Sequence, residues 1–284
     1  MRGFSPAKIN LSLRILGRRP DGFHELETLM APLDFGDTLE VKIRAQPGVK
    51  IHCDEPGIPL GPENLVWKAL AAFAEASATP LAYRVRLVKA IPAGAGLGGG
   101  SSNAATALLL ANQLNGTPLD AAELTQLAGT IGADVAFFCA KSWAFCRGRG
   151  EIVEPCPAAG DFQVLLLKPP FPISTPWAYR NWRDSRELKG VSYLPQLLGN
   201  LELVNDLERP AFGKYLILAH LKSWLARQES VSAALMSGSG STMFAIFKSG
   251  VEHADVVHLE HLALREFGEE LWLQSARTVS GEAL

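Results

Sequence analysis

Residues 7–15 alternate: Ile9, Leu11, Leu13 and Ile15 are apolar, and Lys8, Asn10, Ser12 and Arg14 are polar. A period of two predicts a strand buried on one face, with Lys8, Asn10 and Ser12 together on the other. Arg19-Pro20-Asp21-Gly22 has the composition of a turn. Residues 25–33, 38–43 and 49–53 read as further strands, separated by Asp34-Phe35-Gly36-Asp37 and Gln46-Pro47-Gly48. After Asn64, an N-cap residue type, Leu65, Ala69, Leu70 and Phe73 recur at helical spacing to about residue 76. Residues 82–91 return to strand alternation, with Tyr83, Val85 and Leu87 set against Arg84 and Arg86. Residues 101–114, rich in alanine and leucine, predict a helix. Asp120, with Glu123 three positions on, predicts a capping box at the head of another.

Residues 155–161 have loop composition and mark a domain boundary, giving units 1–157 and 158–284. Past it, residues 162–167 form a continuous apolar strand. Thr175-Pro176 opens a helix with proline at its first position. Residues 214–227 and 251–267 predict two more helices. Between them lies a small-residue loop, Ser237-Gly238-Ser239-Gly240-Ser241, flanked by the apolar runs 233–236 and 242–247. Strand blocks interleaved with grouped helices predict an α+β layering in place of a regular βαβ wind.

Composition narrows the classes of function. Lys and Arg total 27 against 29 Asp and Glu, a net charge of −2, which excludes a nucleic-acid protein whose affinity comes from a broad basic surface. Four cysteines with no C-x-x-C spacing argue against a disulfide framework or a cysteine-rich zinc site and predict reduced thiols in a cytoplasmic protein. No run of about 18 apolar residues predicts a membrane helix, and the opening residues lack the apolar stretch of a signal peptide.

The glycines change the picture. Five of the seven residues 94–100 are glycine, within Pro92-Ala93-Gly94-Ala95-Gly96-Leu97-Gly98-Gly99-Gly100-Ser101-Ser102-Asn103, between a strand and a helix. Glycine lets a ligand approach the backbone N–H groups. The following helix offers unpaired N–H groups and the positive end of its dipole, and Ser101 and Ser102 add hydroxyls. The pattern predicts a phosphate site, against the alternative of a tight surface loop ended by a serine N-cap. It is not a Walker A loop, because no lysine follows the glycines. Gly94-x-Gly96-x-x-Gly99 matches a dinucleotide fingerprint in form, but the acidic residue at the right distance, Asp120, opens a helix and does not end a strand. A nicotinamide-dependent oxidoreductase and a non-catalytic nucleotide-binding module stay open as alternatives to a kinase.

Phosphoryl transfer needs positioning, charge stabilisation and a base. Asp134 beside the apolar run 135–139 is a candidate base, or the N-cap of that run. Lys8 shares a strand face with Asn10, or is an ordinary exposed lysine. His24 is a candidate ligand or a loop histidine. Trp177 and Tyr179 are candidates for stacking on a base or for the core. His258 and His261 have metal spacing on a predicted helix, but no third ligand is evident, so a solvated face is expected.

Three blocks in this order, Pro6-Ala7-Lys8-Ile9-Asn10-Leu11, the glycine–serine loop 92–103 and Gly238-Ser239-Gly240-Ser241, resemble the GHMP kinase superfamily, linked by Asp21-Gly22-Phe23-His24 and Gly132-Ala133-Asp134-Val135. The resemblance spans essentially the whole chain. It implies a two-domain α+β fold, with an N-terminal domain containing a left-handed βαβ unit, a ferredoxin-like C-terminal α/β domain and the active-site cleft between them. The opening block together with Asp-Gly-Phe-His points to the branch that phosphorylates the 2-hydroxyl of a CDP-linked methylerythritol in non-mevalonate isoprenoid synthesis. Homoserine or mevalonate kinase types are the nearest alternatives.

The resemblance further implies ATP and Mg²⁺, and a small-molecule cytidine diphosphate substrate. It implies no nucleic-acid or membrane partner, and a monomer or weak homodimer. Asp134 would be the base and Lys8 its partner. Residues 92–103 would wrap the ATP phosphates, with Asn64 and Leu65 near adenine. Phe23, His24 and Tyr179 would hold cytosine, Asn10 would orient the methylerythritol end, and Asn205, Asp206, Gly238, Ser239 and Gly240 would line the phosphate end. Ser101 and Ser102 are hydroxyl candidates for the metal, whose ligands are otherwise unassigned. Two departures stand out: Phe23 where tyrosine is often seen, which loses a hydroxyl, and Ala136 where proline is often seen.

Overall fold

The computed structural model of the protein describes residues 1–280. Its elements in chain order are β1 (Arg2–Arg18), β2 (His24–Ile43), β3 (Gly48–Cys53), α1 (Leu65–Ala76), β4 (Ala82–Val88), α2 (Gly99–Leu114), α3 (Ala121–Ile131), α4 (Ala133–Ala140), β5 (Ala144–Gly148) and β6 (Ile152–Pro155). They continue with β7 (Gln163–Lys168), α5 (Thr175–Asn181), β8 (Gln196–Leu198), β9 (Leu201–Asn205), α6 (Glu208–Lys214), α7 (Leu216–Leu225), β10 (Val231–Met236), β11 (Met243–Phe247), α8 (His253–Phe267) and β12 (Trp272–Arg277).

An eight-stranded sheet runs β3-β4-β2-β1-β9-β8, and β5 leaves β2 to pair with β6. β3, α1 and β4 make a βαβ unit whose strands are parallel neighbours. The second sheet runs β10-β11-β7-β12 with every pair antiparallel. Along the chain its strands and helices follow as strand, helices, two strands, helix, strand, and with the spatial order β10-β11-β7-β12 this is a ferredoxin-like arrangement.

The apolar faces define three layers of core. Phe73 of α1, Leu108 of α2 and Phe137 of α4 pack on the outer face of the first sheet. Phe212, Leu221 and Leu259 from α6, α7 and α8 cover the second sheet. Between the sheets, Ile9, Leu11 and Leu33 meet Val164, Leu166 and Phe244. β1 is therefore buried on both faces along residues 5–11, where the alternation predicts one polar face; Lys8 and Asn10 are 3% exposed. Polar residues in that position need internal partners, and they have them.

Several boundaries differ from expectation. The Asp34–Asp37 composition reads as a turn, yet β2 passes through it as one strand. The register with β1 jumps there, from Pro6↔Gly36 to Lys8↔Pro32, so the residues mark a bulge. The run after Gly132 is helix α4, and the predicted helix 214–227 is α7, with the unpredicted α6 before it and a break at Tyr215. β9 pairs in parallel with β1, Ser12 opposite Val204, so a segment from beyond the expected boundary at residue 157 completes the first sheet. Short strands such as β8 and β9 carry too few residues for a period to show. All four cysteines are free thiols, and among the described residues no helix is long and apolar enough to cross a membrane.

Candidate active site

The glycine loop joins β4 to α2, and helix α2 begins at Gly99, two residues before the expected start. Hydrogen bonds from other segments clasp the loop: Lys8 N–H donates to Leu97 O (3.0 Å), Thr242 N–H to Ala95 O (3.2 Å) and the Ser237 hydroxyl to Gly96 O (3.0 Å). Gly96 has φ +77°, and a Cβ there would lie 2.3 Å from Ser237 O. Gly98 has φ +73°, and its Cβ would meet the Phe138 ring at 2.9 Å. Both positions demand glycine on space and on conformation. No acidic residue stands in the first turn of α2, so its unpaired N–H groups face the cleft as an anion site.

The cleft encloses about 480 Å³. It is lined by Pro92, Ala93, Gly94, Ala95, Gly96, Leu97, Gly98, Gly99, Gly100 and Ser101, and by Asn64 and Leu65 at the head of α1. Lys8, Asn10, Asp134, Tyr179, Gly238 and Ser239 complete it. A second hollow of about 630 Å³ adjoins it, lined by Phe23 and His24 and sharing Ser101, Asp134, Arg149 and Tyr179 with the first. The two lobes meet at Asp134.

Asp134 lies in the first turn of α4, whose N-cap is Gly132. It does not cap the run; its carboxylate sits at the positive end of a helix, a favourable place for a negative charge. Lys8 Nζ lies 3.7 Å from Asp134 Oδ2. It donates to Asn10 Oδ1 (2.6 Å) and Gly96 O (3.1 Å), while Asn10 Nδ2 donates to Thr28 (2.8 Å). The ammonium is thus fixed between the phosphate loop and the carboxylate, with its side chain 4% exposed against 38% for Asp134. Lys8 is no ordinary surface lysine. Ala136 is fully buried within α4. Cys146, near Asp134, has its thiol pushed up to about 12, first by burial and then by the Asp134 charge, so it is no nucleophile.

In the second lobe the His24 ring lies against Tyr179 (centroids 5.4 Å, 31°) and edge-on to Trp182 (6.1 Å). Burial, then the Arg18 charge, lowers the His24 pKa. Burial, then the Asp134 charge, raises that of Tyr179, keeping the phenol protonated. Phe23 is 54% exposed, with the Arg149 guanidinium 5.0 Å from its ring centre. Trp177 packs toward Tyr215 and the Lys214 ammonium, away from this cluster.

Some expected residues lie elsewhere. Asn205 is buried and spent: Nδ2 donates to Met236 O (2.7 Å) and Gly238 O (2.8 Å), and Oδ1 accepts from Leu207 N–H. Asp206 accepts from Ile15 N–H (2.7 Å). Neither lines the cleft; both hold the loop 237–241 and β1 from behind. Gly240 is buried against Met236 and Ile173, also off the cleft. Ser102 has no exposed surface and its hydroxyl has no partner, so Ser101 alone of the two faces the cleft. Asn103, though at the cleft wall, has its amide engaged within the protein. His258 and His261 are exposed, and the described residues hold no cluster of three metal-ligating side chains.

Arg149 and Thr175 line both lobes without having been expected. Thr175 bonds Ser239 between hydroxyls (2.7 Å). No periodicity marks either, since both sit at ends of short elements.

Residues 64–142 match the model for the GHMP kinases N terminal domain, and residues 192–258 that for GHMP kinases C terminal. The 4-diphosphocytidyl-2-C-methyl-D-erythritol kinase of Methylacidiphilum infernorum is 41% identical over 87% of this chain and 86% of its own length. A crystal structure of a 4-(cytidine 5'-diphospho)-2C-methyl-D-erythritol kinase, 35% identical, superposes with a TM-score of 0.77 over 99% of this chain and all of that one. The homoserine kinase of Cytophaga hutchinsonii shares the fold, with a TM-score of 0.70 over 99% of this chain and 94% of its own, at 16% identity. Likeness of sequence and fold along nearly the full length makes this chain a GHMP kinase, in the family of the 4-diphosphocytidyl-2-C-methyl-D-erythritol kinases.

Proposed function

We propose that this chain transfers the γ-phosphoryl group of ATP to the 2-hydroxyl of 4-diphosphocytidyl-2-C-methyl-D-erythritol, a step toward isoprenoid precursors. The observation that carries the reading is the Lys8–Asp134 pair standing where the phosphate lobe meets the aromatic lobe. A hydroxyl brought to that junction has a carboxylate to take its proton and an ammonium to offset the alkoxide charge. The α2 N-terminus and residues 92–101 hold the ATP phosphates, and Asn64 and Leu65 border the adenine. His24, Tyr179 and Phe23 hold the cytosine by stacking and by the polar edge of the imidazole, and Asn10 fixes Lys8 while facing the acceptor.

Mg²⁺ fits the donor set as an ion delivered on ATP. The Ser101 hydroxyl is at hand, there is no preformed carboxylate cage among the described residues, and such sites are completed by substrate phosphates. When bound, it neutralises phosphate charge. We read the chain as two units, 1–157 and 158–284, with β8 and β9 reaching back to the first sheet. The free thiols fit a cytoplasmic setting.

An ADP-release assay with the CDP-linked methylerythritol beside mevalonate and homoserine tests the reading. Turnover with the cytidine substrate alone is expected. Turnover confined to either of the other two, or ATP binding with no acceptor used, overturns it. Lys8→Ala lowers kcat more than it raises the ATP KM; a pure KM effect would make Lys8 a binding residue.

A further inference from the structure

Asp37 lies on β2 with no exposed surface, and its place in a turn-like tetrapeptide gave it no function. The ladder between β2 and β4 ends at Thr38↔Val88. One residue further, the Asp37 carboxylate takes the ladder's place. Its Oδ1 accepts from the N–H groups of Ala90 (2.7 Å) and Ile91 (2.9 Å). Its Oδ2 accepts from Asn103 Nδ2 (2.9 Å) on α2 and from the Lys89 ammonium. Lys89 also donates to Asn103 Oδ1 (3.1 Å).

One buried carboxylate therefore grips both ends of the glycine loop: residues 89–91, where the chain enters it, and the second turn of α2, where the chain leaves. A carboxylate without solvent is tolerable only when its lone pairs are engaged and its charge is met, and here four donors, one of them a cation, do both. The loop between these anchors holds five glycines, which have little conformational preference of their own. Bonds from Lys8, Thr242 and Ser237 clasp its middle at residues 95–97, and the Asp37 cluster sets the separation of its ends.

We propose that Asp37 is a positioning residue for the nucleotide phosphates. It acts through Lys89, Asn103 and two backbone N–H groups to hold the loop and the α2 N-terminus in one cradle, and it does not touch the nucleotide. The proposal rests on reading residues 92–101 as the ATP cradle. It is selective: no hydrogen bond or ion pair joins the cluster to His24, Phe23 or Tyr179, so its loss falls on the nucleotide and spares the acceptor.

The test is calorimetric binding of a non-hydrolysable ATP analogue with Mg²⁺, and separately of CDP, to wild type, Asp37→Asn and Asn103→Ala. Asp37→Asn sets an amide donor against donors and leaves Lys89 without its counter-charge. It should weaken the ATP analogue by about tenfold or more, while CDP affinity stays within about twofold. Asn103→Ala keeps the Asp37–Lys89 pair and cuts only the tie to α2, so it should shift the same affinity in the same direction by less. It also serves as the test if Asp37→Asn does not fold. A folded variant that binds the ATP analogue like wild type, or loses both ligands equally, overturns the proposal. Phosphoryl transfer by wild type is measured alongside: its failure would remove the functional reading and leave the binding comparison standing.

Discussion

The two lobes of the cleft are built from different materials. The phosphate lobe is backbone: a glycine loop and a helix start, clasped by hydrogen bonds from β1, from the loop 237–241 and from the buried Asp37 cluster. The acceptor lobe is side chain: His24 on β2, Tyr179 on α5, Phe23 in a turn and Arg149 between β5 and β6, several of them partly exposed. A backbone lobe presents N–H groups at fixed spacing to a ligand whose phosphates never vary. A side-chain lobe selects one base among several, since selection needs shape and edge chemistry that the backbone cannot vary. On the proposed reading, the first lobe would take ATP and the second would carry the choice of acceptor.

The junction between the lobes should be the most sensitive point. Asp134→Asn keeps the shape of α4 and removes the proton acceptor, so kcat should fall by at least about 10² with both ligands still bound. Near-wild-type turnover would take Asp134 out of the chemistry.

Next comes the backbone lobe. Gly96→Ala forces a Cβ into a carbonyl at 2.3 Å and a side chain into φ +77°. The ATP KM should rise by about thirtyfold with the acceptor KM little changed. An equal rise in both would blur the division of labour.

The side-chain lobe should answer in the opposite sense. Tyr179→Ala removes the stacking face and should raise the acceptor KM by about tenfold while ATP binding holds.

The smallest effect is a pH dependence. Burial, then Arg18, sets the folded pKa of His24 below its ordinary 6.5. The folded state holds that proton less tightly than the unfolded chain. Its contribution to stability is therefore complete above pH 6.5 and is lost as pH falls through the lower folded value. Acceptor affinity should weaken by about twofold over the same acid window, and His24→Gln should abolish that dependence while leaving the pH profile of ATP binding alone.

The comparison also explains how unevenly the site was legible. The phosphate loop announces itself because only glycine meets its steric demands, and it lies in one continuous stretch. Lys8 and Asp134 were visible as residue types in suspicious company, but their 3.7 Å approach joins residues 126 positions apart in the chain (134 minus 8) and depends on tertiary packing. Asn205 and Asp206 sit next to the cleft in the chain's order of motifs yet turn away from it, because the backbone of the loop 236–238 and β1 claims their polar atoms. Asp37 was hidden by the opposite error. A Gly-Asp pair resembles a turn, and only the register jump between β1 and β2 makes it a bulge that drives the carboxylate inward.

Local chemistry, then, was enough to determine a glycine-rich strand–loop–helix and the strand and helix types of the longer elements. These depend on periodicities and steric limits that operate within a few residues. Tertiary structure alone decided that β9 crosses back to complete the first sheet and that β1 is buried on both faces. It alone put Lys8 between the glycine loop and Asp134, and brought His24 to Tyr179, 155 positions later in the chain (179 minus 24). Those contacts join distant segments, and the free energy that selects them comes from burying three shared cores, which no single segment possesses.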